Sequence, residues 1–191
     1  MGANANLPWD VRVHWAVPVD TSFHARFTAL SRRYRYVIAN TPVRPAALVG
    51  QVSWQRRLLD GQLMNRESQC LLGEQDFSAF RAAACQSNSP MRNVQEVSVI
   101  RQGELVVIDI RANAFLHHMV RNIAGSLMAV GCGRQPPGWI AGLLRQGDRT
   151  QAADTASPAG LYLVDVQYPR EYGLPATPYG PLLLSGYSSK A

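Results

Sequence analysis

Lysine is all but missing from this chain: of nineteen basic residues only Lys190 is a lysine, and the other eighteen are arginines. Cysteine is scarce. Cys70, Cys85 and Cys132 cannot all pair and none falls in C-x-x-C spacing, which excludes a disulfide scaffold and a cysteine zinc site. No run of about eighteen consecutive apolar residues occurs, so no conventional membrane-spanning helix is expected. The opening MGANANLPWD has neither the basic nor the apolar region of a secretion signal, and Asn6 stands where a myristoylation signal needs Ser or Thr. Together these absences make the cytoplasm the expected compartment. Gly-rich phosphate loops, G-x-S-x-G elbows and calcium-binding loops are also missing.

What remains is an arginine-rich globular sequence. Its 191 residues are 47% hydrophobic, enough for a sizeable core, and the formal charge of +6 favours a polyanionic partner. Arginine presents a planar fork that grips phosphate oxygens in pairs and stacks on bases, so the bias fits RNA. GC-rich coding gives the same bias, and composition does not separate the two.

Val11, Val13, Trp15, Val17 and Val19 alternate with Arg12, His14, Ala16 and Pro18, the period of a strand with one buried face. SRRYRYVIAN, 31–40, reads as a second strand ended by Asn40-Thr41-Pro42. Both are expected to belong to a neighbouring sheet. A helix is expected over 61–72 with Gly73 as its stop, then a polar loop over 85–93. Residues 94–112 read as a hairpin turning near Gln102-Gly103. A second helix follows over 113–131, a third after Pro136-Pro137, a last strand over 161–168, and a surface tail from Pro169. The pattern predicts an α+β fold, helices on one face of an antiparallel or mixed sheet, with residues 1–58 ending a first, incomplete domain and 59–191 forming the second.

NAFLHHMVRNIAGSLMAVG, 113–131, sets two histidines and an arginine into an apolar helix. Leu116, Met119, Val120, Ile123, Leu127 and Val130 share one side; His118, Arg121, Asn122 and Gly125 share the other, with His117 between. Adjacent histidines on a helix diverge by about 100°, which speaks against a metal site. Gly125 costs roughly 1 kcal/mol against Ala in a helix interior, so something is expected to approach that face closely. Tyr34 and Tyr36 share a strand face among Arg32, Arg33 and Arg35, a pattern open to two readings, core packing or a stacking platform for bases. Asp109, between Ile108 and Ile110, is read as pairing with Arg111 or facing water rather than as a catalytic acid.

FHARF, RRYRY, GEQDFSAFRAA, the C-Q-S…S-P-x-R-N-V loop, VVIDIRANAFLHHMVRNIAGSL and GLYLV follow the order and spacing of the tRNA pseudouridine synthase A family, which the chain resembles from NANLP to about Pro181. The resemblance implies the pseudouridine synthase fold, no metal or organic cofactor, and isomerisation of uridine at positions 38, 39 and 40 in the anticodon stem and loop of tRNA. It also implies a homodimer. Carried over by motif, Tyr34 stacks on the uracil and is a candidate for removing the C5 proton. Arg121 pairs with the acid that starts the reaction, and Leu161 packs against the base. Arg26 and Arg81 are expected at the RNA backbone, His117 and His118 in the wall of the cleft. The family carries its catalytic Asp in G-R-T-D-A-G, and no such motif occurs in these 191 residues; the DRT at 148–150 is a different loop. The chain therefore resembles the family's C-terminal portion and is expected to be inactive alone. The alternatives are a non-catalytic tRNA or RNA-binding module and a dimerisation module.

Overall fold

In the computed structural model, which describes residues 2–176 and 180–184, one strand buried on both faces organises the sheet. That strand, β5 (Leu105–Ala112), sends Val106, Ile108, Ile110 and Ala112 into the larger core and Val107 into a smaller one on the opposite face. Burial on both sides explains why its sequence, LVVIDIRA, is a nearly continuous apolar run rather than an alternation. β1 (Ser31–Ala39) pairs antiparallel with β5 along eight residues, from Arg32 against Ala112 to Ala39 against Leu105. On the far side of β5 lies β4 (Met91–Gln102), joined to it by Gly103-Glu104 with Gly103 at φ +58°. β3 (Gly73–Asp76) closes that edge. The other edge of β1 is shared by β2 (Ser53–Trp54), which runs parallel, and β6 (Leu161–Gln167), which runs antiparallel. The sheet is mixed, six-stranded, in the order β2-β1-β5-β4-β3 with β6 beside β1.

Three helices pack on the larger core. α1 (Gly61–Ser68) starts at Asp60, whose side chain accepts from the Leu63 backbone N–H at 2.8 Å, satisfying a donor the helix itself cannot. α2 (Met119–Gly131) is the central helix, and twelve of its thirteen residues are buried. α3 (Trp139–Gln146) follows the proline pair and ends at Gly147, a left-handed cap.

Several expectations change. β1 lies inside the one sheet rather than in a neighbouring one, so strands before residue 58 pair with strands after it. Residues 11–19 form no strand pairing, and Val11, Val13, Trp15, Val17 and Val19 are all exposed. The helix expected from 113 begins at Met119, because His118 adopts a left-handed conformation, φ +61°. The helix expected over 61–72 tightens into a 3-10 turn at Gln69–Leu71. β4 starts within the predicted polar loop, where it pairs with β3, a strand too short and polar to show an alternation. The tail is only partly superficial: Leu184 is buried against Val37, Ala39, Val52 and Val107, while 177–179 and 185–191, Lys190 included, lie outside the described residues.

Asp109 neither pairs with Arg111 nor lies exposed. Its two carboxylate oxygens accept from Arg33 Nε at 2.6 Å and Arg35 Nε at 2.9 Å, all three side chains buried on the face away from the helices. Cross-strand register explains the choice, since Arg35 lies directly opposite Asp109 and Arg33 diagonally. Arg111 turns instead to Glu96, which also meets Arg33. A buried carboxylate so enclosed is a structural ion cluster rather than an exposed acid.

Candidate functional site

β1 is irregular where its chemistry is densest. A bulge in the pairing with β6 falls between Arg33 and Tyr34, so Arg33 faces Asp165 while Tyr34 faces Leu163. Such a bulge re-aims side chains, and here it sets Tyr34 at the wall of an open cleft of about 940 Å³. The ring is half-buried and meets Phe115 edge to face, centroids 5.1 Å apart at 88°. Burial pushes the Tyr34 phenol above its ordinary value, with Arg32 working the other way, so it stays protonated at neutral pH.

Three guanidiniums, Arg26, Arg32 and Arg92, line this cleft together with His117, and among the described residues no carboxylate does. Each comes from a different element. Arg26 is exposed in the segment before β1. Arg32 ties that segment to the turn after β5, donating to the carbonyls of Arg26 and, at 2.9 Å, Asn113. Arg92 donates to Ser87 Oγ at 2.6 Å and the Ser89 carbonyl at 3.0 Å, holding the loop between β3 and β4. Its Nε is buried without a partner among the described residues. A second cleft of about 730 Å³ shares Leu163, Val166 and Tyr168 with the first but includes Asp165. The all-positive lining makes the Tyr34 cleft the better match for an anionic ligand.

The cleft thus gathers Tyr34, Arg26 and His117 of the residues singled out by sequence. Arg81 faces inward to its own loop, donating to the carbonyls of Cys85 at 3.1 Å and Ser87 at 2.7 Å. His118 stacks on His117 with centroids 3.9 Å apart. Burial, then His117 and Arg121, lowers its pKa, so it is neutral at pH 7. Leu161 packs against the main core opposite Tyr36. Arg121 leaves the first turn of α2 and donates through Nε to the Ala156 carbonyl at 2.7 Å. Its two terminal nitrogens have no partner among the described residues, and its charge acts on Tyr36 and His118.

Phe115, Arg92, Cys85, Leu163 and Tyr168 are cleft residues that sequence reasoning gave no site role, and Arg32 was named only as a flank of the tyrosine face. Leu163 becomes the cross-strand neighbour of Tyr34 only through the β1–β6 pairing and its bulge, which leave no local signal in the sequence. Phe115 was hidden by the reading of 113–118 as helix.

The family model of tRNA pseudouridine synthase matches residues 68–169. Relatives named tRNA pseudouridine synthase A are similar along nearly the whole chain. That of Legionella pneumophila strain Lens is 56% identical over 183 residues, covering 96% of this chain and 70% of the relative. A Klebsiella pneumoniae relative is 57% identical over 185 residues, 97% of this chain and 68% of its own. One from Shewanella loihica is 58% identical over 184 residues, covering 96% and 70%.

Proposed function

The chain belongs to the tRNA pseudouridine synthase family, and on that premise we propose that the cleft around Tyr34 receives the target uridine of a tRNA anticodon arm. The family's reaction isomerises uridine in tRNA. The base is detached from C1′ of its ribose, turned, and rejoined through C5, so the nucleotide must leave its stack and enter a pocket. In this reading the uracil stacks on Tyr34, with Phe115 fixing the ring from its edge, and Leu163 on β6 closes the apolar side, next to Leu161 on the same strand. Arg26, Arg32 and Arg92 meet the phosphates. Arg121 turns its unengaged nitrogens to the family's acid, which these 191 residues do not contain, so this chain by itself binds tRNA without turnover. The homodimer implied by the family resemblance and the cytoplasmic setting expected from the sequence belong to the same proposal; among the described residues no helix is long and apolar enough to cross a membrane.

The observation that carries this reading is the cleft itself, an aromatic corner ringed by three arginines and, among the described residues, no carboxylate. Its test is the affinity of the chain for an unmodified tRNA transcript. Tyr34→Ala should weaken binding by about ten- to a hundredfold, the worth of roughly one stacked base, while Tyr34→Phe binds as the parent does. Equal affinity for parent and Tyr34→Ala would place the RNA elsewhere. The missing acid favours a second reading, a tRNA-binding module that performs no chemistry in any setting.

A further inference from the structure

Between α3 and β6 the chain crosses over α2 as a strap, 149–160, and comes closest at Gly125. A Cβ built there would stand 2.2 Å from the Asp154 carbonyl oxygen, so only glycine admits the strap at this depth. Arg149, at the strap's start, holds it down from the side. One terminal nitrogen donates to the carbonyls of Ala153 at 3.0 Å and Ala152 at 3.4 Å. The other donates to Asn122 Oδ1 and Thr155 Oγ1, both at 3.1 Å. Thr155 in turn donates to Asn122 Oδ1 at 2.6 Å, and the fully buried Asn122 spends its amide on the Phe80 carbonyl at 2.7 Å. Immediately beyond, Ala156 exchanges two bonds with Arg121: its carbonyl takes Arg121 Nε at 2.7 Å and its N–H donates to the Arg121 carbonyl at 3.2 Å. Ser157 then accepts from the Tyr36 hydroxyl at 2.8 Å.

We propose that Arg149 is the positioning residue for Arg121. It bridges the strap to Asn122, the residue next to Arg121 on α2, and so holds the Ala156 carbonyl where it takes Nε and fixes the plane of the guanidinium. Arg121 then meets a carboxylate with both terminal nitrogens already oriented, without spending rotamer freedom at the moment of pairing. The strap continues into β6, so the same staple sets Leu161 relative to Arg121. This inference rests on the role given to Arg121 above, and the test separates the two.

In the 191-residue chain, the Hε exchange rate of Arg121 measured by 15N NMR should rise by about tenfold or more in Arg149→Gln, the worth of roughly one bond to a charged group. α2 backbone amides should keep their rates, and Arg149→Lys should recover part of the protection. Thr155→Val, which removes one link and preserves volume, should give a smaller change in the same direction. Unchanged Arg121 exchange in both variants, or acceleration shared equally by every α2 amide, would overturn the proposal. A carboxylate probe supplies the second arm. Acetate added to the 191-residue chain should shift the Arg121 Nε–Hε resonance, and Arg149→Gln should need more acetate for the same shift. An equal acetate midpoint in parent and Arg149→Gln would overturn the positioning. No shift of Arg121 with acetate in the parent would overturn the role of Arg121, while faster Hε exchange in Arg149→Gln would still establish the staple.

Discussion

Cys85 and Cys70 are both partly buried thiols, yet their surroundings differ enough to be told apart chemically. Burial raises the Cys85 pKa, but the backbone donors of His117 and Ser87 and the Arg81 side chain outweigh it, and the net shift is downward. At Cys70, burial and then Glu67 push the thiol up to about 11. Iodoacetamide at pH 7.5 should therefore alkylate Cys85 well before Cys70, read by peptide mass mapping, and bound tRNA should protect Cys85 because it lines the cleft. Faster labelling of Cys70 would contradict the geometry around the cleft loop. Of the residues named from the sequence, Tyr34, Arg26 and His117 meet in one cleft, whereas Arg81, His118, Arg121 and Leu161 do not line it. The pairing of Asp109 was not legible beforehand, because its partners are decided by register, and register depends on which strands pair.

At the scale of elements, α2 carries both the chemistry and the packing constraint. Its polar side, which the helical wheel leaves open to solvent, is covered by the strap, so Asn122, Gly125 and Ser126 are as buried as the apolar side. Gly125 announced that approach in the sequence; the strap that makes it, a loop without periodicity, did not. Two glycine substitutions should consequently differ in sign. Gly125→Ala gains about 1 kcal/mol of helix propensity but overpacks the strap, and urea unfolding should show a net loss of about 1–3 kcal/mol. Gly142→Ala on α3 meets nothing closer than an Arg145 side-chain nitrogen at 3.9 Å, and should be neutral or stabilising by up to about 1 kcal/mol. Stabilisation by Gly125→Ala would mean that the strap does not sit where the structure has it. β1 shows the opposite limit of sequence reading. Its strand character was plain from RRYRYVI, but its place inside the sheet depended on β5 and β6, both more than sixty residues away.

For the molecule as a whole, one sheet presents two unlike faces. The helix-covered face holds the main core and, where the helices stop short of β1 and β6, leaves the arginine-lined cleft. The other face closes over buried ion pairs and a small apolar cluster that includes Leu184. Fold class and family were readable from the chain because motif order and spacing survive along nearly all of it. The sheet to which β1 belongs was not, since pairing across residue 58 leaves no local signal. The central claim is that this chain supplies the uridine-binding side of a pseudouridine synthase site and not its acid. Tritium release from tRNA carrying C5-tritiated uridine, measured with the 191-residue chain at concentrations that saturate binding, tests this most directly. The account predicts bound tRNA and no release above the buffer background; release that Tyr34→Phe abolishes would contradict it.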